Sequence, residues 1–491
     1  MPATHVVVVG GGNAGLCAAL AAAEAGAEVT VLERAPVAKS GGNTAFTAGA
    51  MRVAYEGEDD ILSLVPDLSD GQRAVTDFGR YDQAAFYEDL GRVTRYRADP
   101  DLAETLVSRS LPTLQWMRGQ GVRFAPMYGR QAFDVGGRYR FWGGLTLEVV
   151  GGGPGLVEAL TKAAGRHHVA IRYGARAVGL EAGADGIEAV RVRTGGVDEV
   201  IRCDSVVLAA GGFQANTDWR TRYLGPGWDL ARVRGTSYNT GDGIQMALDI
   251  GASPVGHWSG CHAVQWDFNA PEFGDLAVGD GFQKHSYPFG LMVNVDGERF
   301  VDEGADFRNY TYAMYGRSVL EQPGQIAWQV FDAKVAHLLR DEYRIRQVTR
   351  MQADTLPELA GRMEGIDQAR FLETIATYNA AVDTTVPFDP NVKDGRGTVG
   401  LAVSKSNWAN TVAEPPFQAF AVTCGITFTF GGLRIDDRSH VLDQDFAPIR
   451  GLYAAGEMSG GLFYFNYPGG SGLTNGSVFG RLAGFGAASR A

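Results

Sequence analysis

The chain has 491 residues, 45% hydrophobic and 20% charged, enough to bury a sizeable core and to divide into two or three domains. A formal net charge of -12, with basic residues scattered and never in runs, excludes a nucleic-acid partner. The four cysteines, Cys17, Cys203, Cys261 and Cys424, form neither C-x-x-C nor C-x-x-C-H; they read as reduced thiols without an iron–sulfur cluster or c-type haem, so any electrons must leave to another molecule. The sequence enters "THVVVVGGG" without a charged leader, and no stretch runs eighteen apolar residues without a charge. A cytoplasmic address without membrane insertion is the expectation.

In chain order, the first element is a four-valine strand running into Gly10-x-Gly12-x-x-Gly15, followed by an alanine-rich helix and a second strand, "EVTVLE", ending in Glu33. This is a complete βαβ unit. Its glycines admit a pyrophosphate to the helix N-terminus, and Glu33, 21 residues after Gly12, is placed for a ribose hydroxyl. The acid fits the unphosphorylated ribose of FAD or NAD alike. The next stretch, "KSGGNTAFTAGAMR" (39–52), chooses: its small and hydroxyl residues suit a backbone wrapping a large planar cofactor, although a plain surface loop has the same composition.

From 151, "GGGPGLVEALTKAAG" reads as a glycine-bounded helix, and "VAIRYGARAVGLEA", "GIEAVRVRTGG" and "DEVIRCDSVVLAAGGF" alternate with period two as β-hairpins do. "SVVLAAGG" is a buried strand ending in glycines, and "YNTGDGIQMALDIGA" a glycine turn entering an amphipathic helix. The texture then changes. Residues 257–424 carry longer loops and charged helices, "DAKVAHLLRDEYRIRQ" and "IDQARFLETIATYNAAV", with no long valine-rich strand, and read as an inserted domain. Strand-and-glycine texture returns in "LYAAGEMSGG" and "NYPGGSGLTNGSVFGRLAGFGAA". The first domain is thus split into 1–256 and 425–491 around a capping, substrate-binding domain at 257–424.

These motifs, in this order over essentially the whole chain, resemble the FAD-dependent fumarate reductase and succinate dehydrogenase flavoprotein superfamily. "DEGADFRNYTYAMYGR", "KSNWAN", "CGITFTFGG" and "FYFNYPGGSGL" are most similar to its FAD-dependent tricarballylate dehydrogenase branch. The resemblance implies an α/β fold, a Rossmann-type (GR2-like) FAD-binding domain with an inserted α+β capping domain. It puts Gly10, Gly12, Asn13, Ala14, Gly15, Glu33 and Arg34 around the adenosine diphosphate, and Ser40, Gly41, Gly42, Asn43 and Thr44 near the ribityl chain and flavin. Ala177, Ala210, Gly211, Gly212, Asp242 and Glu457 would also line the cofactor. Ser471, Gly472 and Leu473 would open a helix aimed at the flavin pyrimidine edge, where negative charge collects on reduction. Covalent relatives tether FAD through a histidine in the early glycine loop; "GGNTAF" has none, which implies non-covalent FAD.

The resemblance places Arg299, in "GERFVDE", on the arginine that delivers a proton to one carbon of a C=C bond while flavin N5 delivers hydride to the other. Asp302 or Glu303 would orient it, and the plain alternative is a loop ion pair with either acid. His262 resembles a cap histidine that binds a substrate carboxylate, though a lone histidine is often structural. Two positions depart from the fumarate reductases: Phe428 stands for a histidine and Tyr467 for a carboxylate-clamping arginine, which a phenol cannot replace. Tyr467 is instead similar to the ketone-polarising tyrosine of 3-ketosteroid Δ1-dehydrogenases. Tyr310 or Tyr312 would then be the base and Arg308 a cation for a carboxylate, while core packing of each tyrosine is the alternative.

The expected reaction is therefore oxidation or reduction of a C–C bond α,β to a carboxylate or carbonyl. The expected substrate is a small polycarboxylate such as tricarballylate, or a ketone in the ketosteroid-like alternative, and a separate iron–sulfur membrane protein would take the electrons. A reading from another class is a flavin-bearing electron-transfer subunit with no turnover of its own.

Overall fold

A computed structural model describes residues 3–141 and 147–489, and the counts that follow are of these residues. The chain forms two compact units: Met1–Pro226, Gly235–Cys261 and Phe428–Ala491 make the first, and Gly227–Arg234 with His262–Thr427 the second. Besides the short excursion Gly227–Arg234, it passes from one to the other inside two long strands, Pro254–Asp267 and Phe417–Leu433.

The first unit is built on a six-stranded sheet in the order His440–Leu442, Pro448–Ala454, Ser205–Leu208, His5–Val9, Glu28–Glu33, Ala170–Tyr173. All neighbours pair in parallel except the edge strand His440–Leu442. Val6 to Val9 and Ser205 to Leu208 are buried throughout, as central parallel strands covered on both faces must be. On the sheet lie the helices Asn13–Glu24 and Ser471–Ser489, which pack at backbone distance because the second presents glycines every fourth residue. A Cβ on Gly480 would stand 2.4 Å from Ala14 O, and one on Gly484 2.0 Å from Ala18 O.

The hairpins expected after residue 169 are resolved differently. Ala170–Tyr173 is the parallel edge of the main sheet, and only Ala175–Gly183, Gly186–Thr194 and Val197–Arg202 form an antiparallel meander. Gly174 separates the two at φ 67°, a left-handed turn that period-two alternation does not reveal. The helices Gln83–Thr94 and Pro100–Gly119 belong to a stretch for which the sequence had suggested no elements.

The second unit holds a sheet in the order Arg232–Val233, Phe417–Leu433, Ala327–Phe331, Leu291–Asn294, with the helices Arg308–Leu320 and Gln368–Ala381. Its core gathers Leu291, Trp328, Val330, Leu359, Phe371 and Tyr378 around the sheet. The 17-residue strand Phe417–Leu433 was hidden because it is rich in aromatic and small residues rather than valine. "DAKVAHLLRDEYRIRQ" is not a helix but two short 3-10 turns, Ala333–Leu338 and Asp341–Tyr343. Asp332 caps the first turn and also takes the N–H groups of Ala413 and Glu414, while Arg340 N–H is drawn to Ser286 Oγ, so the segment is tied to distant loops instead of continuing its own ladder.

Candidate active site

In the first unit the glycine loop closes over the end of the sheet. Gly10 has φ 114°, and a Cβ there would meet Ala209 O at 2.3 Å, so only glycine lets this turn lie against the neighbouring strand. The N-cap of the helix Asn13–Glu24, Gly12, has no side chain to cap it, and the first N–H, that of Asn13, donates to Thr44 Oγ1 at 3.0 Å. Buried Glu33 accepts from Gly11 N–H (2.9 Å) through one oxygen and Ala35 N–H (2.7 Å) through the other. Burial pushes this carboxyl's pKa up while the two N–H groups pull it down. Each oxygen keeps a second acceptor position for a ribose hydroxyl.

Asn13 joins the two helix N-termini, donating from Nδ2 to Leu473 O (2.8 Å) and Ser477 Oγ (3.0 Å). Ser471 Oγ donates to Pro468 O at 2.6 Å, and Ala14 backs the glycine face of the C-terminal helix. Asn43 accepts from Thr236 N–H at 2.9 Å, whereas Ser40 only closes its own turn on Val37 O. Gly41, Gly42 and Thr44 lie in the short turn Gly42–Phe46 and its entry, which faces the helix Gly152–Arg166. Arg34 pairs with Asp242 at 3.1 Å, and Ala177 is a buried position of the meander beside Arg176, whose Nε also reaches Asp242 at 2.8 Å. Ala210 N–H meets Met458 Sδ at 3.0 Å, Gly211 abuts Asn239, and Gly212 has no room for a Cβ against Thr429 and Glu457.

Glu457 is buried and accepts from Thr429 N–H (2.8 Å) and Gln214 Nε2 (3.2 Å). Burial raises its pKa to about 7 against these donors. A glycine-walled loop at a helix N-terminus, an acid at the end of the second strand and a second helix N-terminus tied to the first fit a dinucleotide such as FAD. Sequence reasoning missed Arg52, which is fully buried and donates to Gly469 O (2.8 Å) and Tyr81 Oη (2.7 Å), fixing the loop that follows Tyr467. Its signal, a lone arginine closing a glycine-rich stretch, has no periodicity to betray it.

Tyr467 lies in an aromatic group of the same unit. Its ring is nearly parallel to Phe428, 6.1 Å between centroids at 13°, and Phe463 stands edge-on to both.

In the second unit Arg299 is enclosed. Its Nε and one terminal nitrogen donate to the two oxygens of Glu303 at 3.1 and 2.5 Å, and the other terminal nitrogen donates to Val403 O at 2.6 Å. Its side chain is 5% exposed and that of Glu303 0%, and the guanidinium lies 5.2 Å from the Tyr378 ring centroid. Burial works to lower the Arg299 pKa, but the charge and hydrogen bonds of Glu303 outweigh it and raise the value, making the group a still weaker acid. Asp302 is turned elsewhere, accepting from the N–H groups of Gly304 and Ser406.

A different set converges on Tyr312. His262 stands edge-on to its ring at 4.9 Å, His285 at 5.1 Å, and the Arg308 guanidinium lies 5.6 Å from the ring centroid. Arg308 and Tyr312 are four residues apart on one helix and share a face; Tyr310, two residues on from Arg308, is buried on another. Burial, then the charge of Arg234, holds His262 well below the usual imidazole pKa, so it is neutral. Arg308 is the first residue of its helix, which has no side-chain cap and no acid in its first turn. A cation there opposes the helix dipole and costs about 0.3–1 kcal/mol, so helix stability does not explain it. His285, a lone histidine in "KHSY", gave no signal in the sequence.

A family model described as an FAD binding domain matches residues 5–473. The chain is 30% identical to the probable fumarate reductase Ifc3 of Shewanella frigidimarina (strain NCIMB 400), over 99% of this chain and 75% of that protein. It is 29% identical to a vinyl phenol reductase of Lactiplantibacillus plantarum (strain ATCC BAA-793 / NCIMB 8826 / WCFS1), over 93% and 90% of the two chains. A solved flavocytochrome c3 fumarate reductase in an open conformation superposes with a TM-score of 0.73 at 28% identity, covering 99% of this chain and 78% of that one.

Proposed function

The chain belongs to the FAD-dependent fumarate reductase and succinate dehydrogenase flavoprotein superfamily, oxidoreductases of CH–CH bonds, and from that premise we propose that it interconverts an alkene and its saturated counterpart next to a carboxylate or carbonyl. The observation that carries the reading is the Arg308 face: a cation at an uncapped helix N-terminus, in line with Tyr312 and flanked by two buried imidazoles. Cation and helix dipole together favour an anion or a developing enolate.

FAD, when bound, supplies the hydride acceptor or donor. The residues of the first unit would hold it without a covalent tether, Glu33 taking a ribose hydroxyl and the N-terminus of the helix Ser471–Ser489 favouring the negative charge of the reduced ring. In the second unit Arg308 orients the carboxylate or carbonyl oxygen, and the proton moves at its guanidinium or at Tyr312 Oη. Neutral His262 accepts or donates one hydrogen bond to hold that geometry. Arg299 is given a supporting role, because a guanidinium committed to a buried carboxylate and raised in pKa is poorly suited to releasing a proton.

The resemblance in the sequence offers two finer substrates, a small polycarboxylate such as tricarballylate or a cyclic ketone of the ketosteroid type. Electrons would pass to or from a separate acceptor, for which an iron–sulfur membrane protein is the proposal, and the proposed address is cytoplasmic. Among the described residues no helix is long and apolar enough to cross a membrane. The test is anaerobic mixing of purified holoprotein with saturated tri- and dicarboxylates, monoacids and 3-ketosteroids, following loss of oxidised-flavin absorbance. Bleaching by at least one class is expected. Reduction only by a partner protein, with no reoxidation of the reduced flavin by any of the corresponding unsaturated compounds, would replace this reading with that of an electron-transfer subunit.

A further inference from the structure

The loop before the C-terminal helix is strained and aromatic. Phe465 has φ 61°, a conformation that bulky residues rarely adopt, and Asn466 N–H bonds Tyr464 O at 2.6 Å, closing a tight γ-turn of the rare positive-φ kind around it. Two neighbours hold the turn: His257 Nδ1 accepts from Phe465 N–H at 3.0 Å, and the Arg95 guanidinium lies 4.3 Å from the Phe465 ring centroid. Strain maintained in this way is found where a group must be aimed.

What it aims is Tyr467. Its ring and that of Phe428 lie within 13° of parallel, and Phe463 buttresses both from the edge at 5.3 and 5.8 Å. Both rings adjoin Gly472, in the first turn of the C-terminal helix; a Cβ there would lie 3.4 Å from Tyr467 and 3.6 Å from Phe428. Phe428, Gly472 and Leu473 are only partly buried, so the aromatic surface is continuous with the helix end assigned to the flavin. Flat rings fixed in orientation beside that end make a wall that another ring can stack on.

We propose that Phe428, Phe463 and Tyr467 form a ring-recognition subsite, so that the substrate is a ring-substituted α,β-unsaturated monocarboxylate or its saturated form rather than a polycarboxylate. This rests on the alkene-oxidoreductase reading for its chemistry, but the subsite is measurable without turnover. Oxidised holoprotein is titrated with trans-3-phenylpropenoate, with but-2-enoate as the matched acid lacking the ring, and with tricarballylate, reading the perturbation of the bound-FAD spectrum.

Binding of the phenyl acid about tenfold or more tighter than but-2-enoate is expected, with the weakest response from tricarballylate. Phe428→Leu and Tyr467→Leu should each erase most of that preference while FAD content and but-2-enoate affinity hold; two variants guard against one that fails to fold. Equal affinities for the two monoacids, a strongest response to tricarballylate, or a ring preference unchanged in both variants would overturn the subsite. Ring preference without turnover of any alkene would sink the reaction and leave the subsite, whereas turnover confined to ringless acids would do the reverse.

Discussion

Removing Arg299 should destabilise the second unit rather than merely slow a reaction. Arg299→Ala leaves Glu303, fully buried, with Met292 N–H at 2.8 Å as its remaining short donor, and strips Val403 O of its partner. Breaking one side of a buried ion pair costs roughly 3–5 kcal/mol, because a desolvated charge stays behind. For a unit of this size that is a fall in Tm on the order of 10 °C. Arg299→Lys keeps the charge but not the two-pronged contact and should lose about half as much. Arg299→Met combined with Glu303→Gln, which spares the Met292 bond, should lose less than the single alanine variant, since neither member of the pair is left charged without the other. Differential scanning calorimetry of the holoprotein, with turnover measured on the folded fraction, checks this. Unchanged Tm in Arg299→Ala and Arg299→Lys, together with abolished turnover, would refute the structural role and return Arg299 to the chemistry.

The converse holds for Arg308→Lys, expected to shift Tm by less than about 2 °C and to cut kcat/KM at least about a hundredfold, read by steady-state kinetics. Gly480→Ala or Gly484→Ala should destabilise the first unit by about 1–3 kcal/mol and release FAD, because the added methyl meets helix backbone; Gly119→Ala, with nothing within 4 Å, is the control, and Tm with FAD absorbance reads both. The Glu457 pKa is raised from 4.5 to about 7 in the folded state, so its contribution is fully present below pH 4.5 and is lost as pH rises through 7, a change of ~3 kcal/mol. Glu457→Gln should therefore flatten Tm against pH across that window relative to the parent. Tyr467→Phe should change kcat by less than about threefold if the ring serves as a wall, whereas a ketone-polarising hydroxyl would cost orders of magnitude.

The βαβ unit and its cofactor class were legible because local sequence dictates them: buried valines make a parallel strand, three glycines make the turn, and an acid closes the next strand. The aromatic strand Phe417–Leu433 and the parallel edge at Ala170–Tyr173 were not legible, since both depend on pairing with residues far along the chain. The "DAKVAHLL" segment shows the same limit from the other side, its helical pattern overridden by the carboxylate of Asp332 reaching two distant N–H groups. Among candidate site residues the sequence put Arg299 first, with His262 beside it, and kept Tyr467, Tyr310 and Tyr312 for the ketone alternative with Arg308 as a further cation. What the sequence determined by itself was a flavin-binding α/β chain with an inserted domain. Only the tertiary structure decided that Arg299 is committed to Glu303, that Arg308 and Tyr312 share a helix face with two imidazoles beside it, and that Phe428 and Tyr467 lie ring to ring; ion pairs and ring contacts depend on distances in space, which a chain fixes only when it folds.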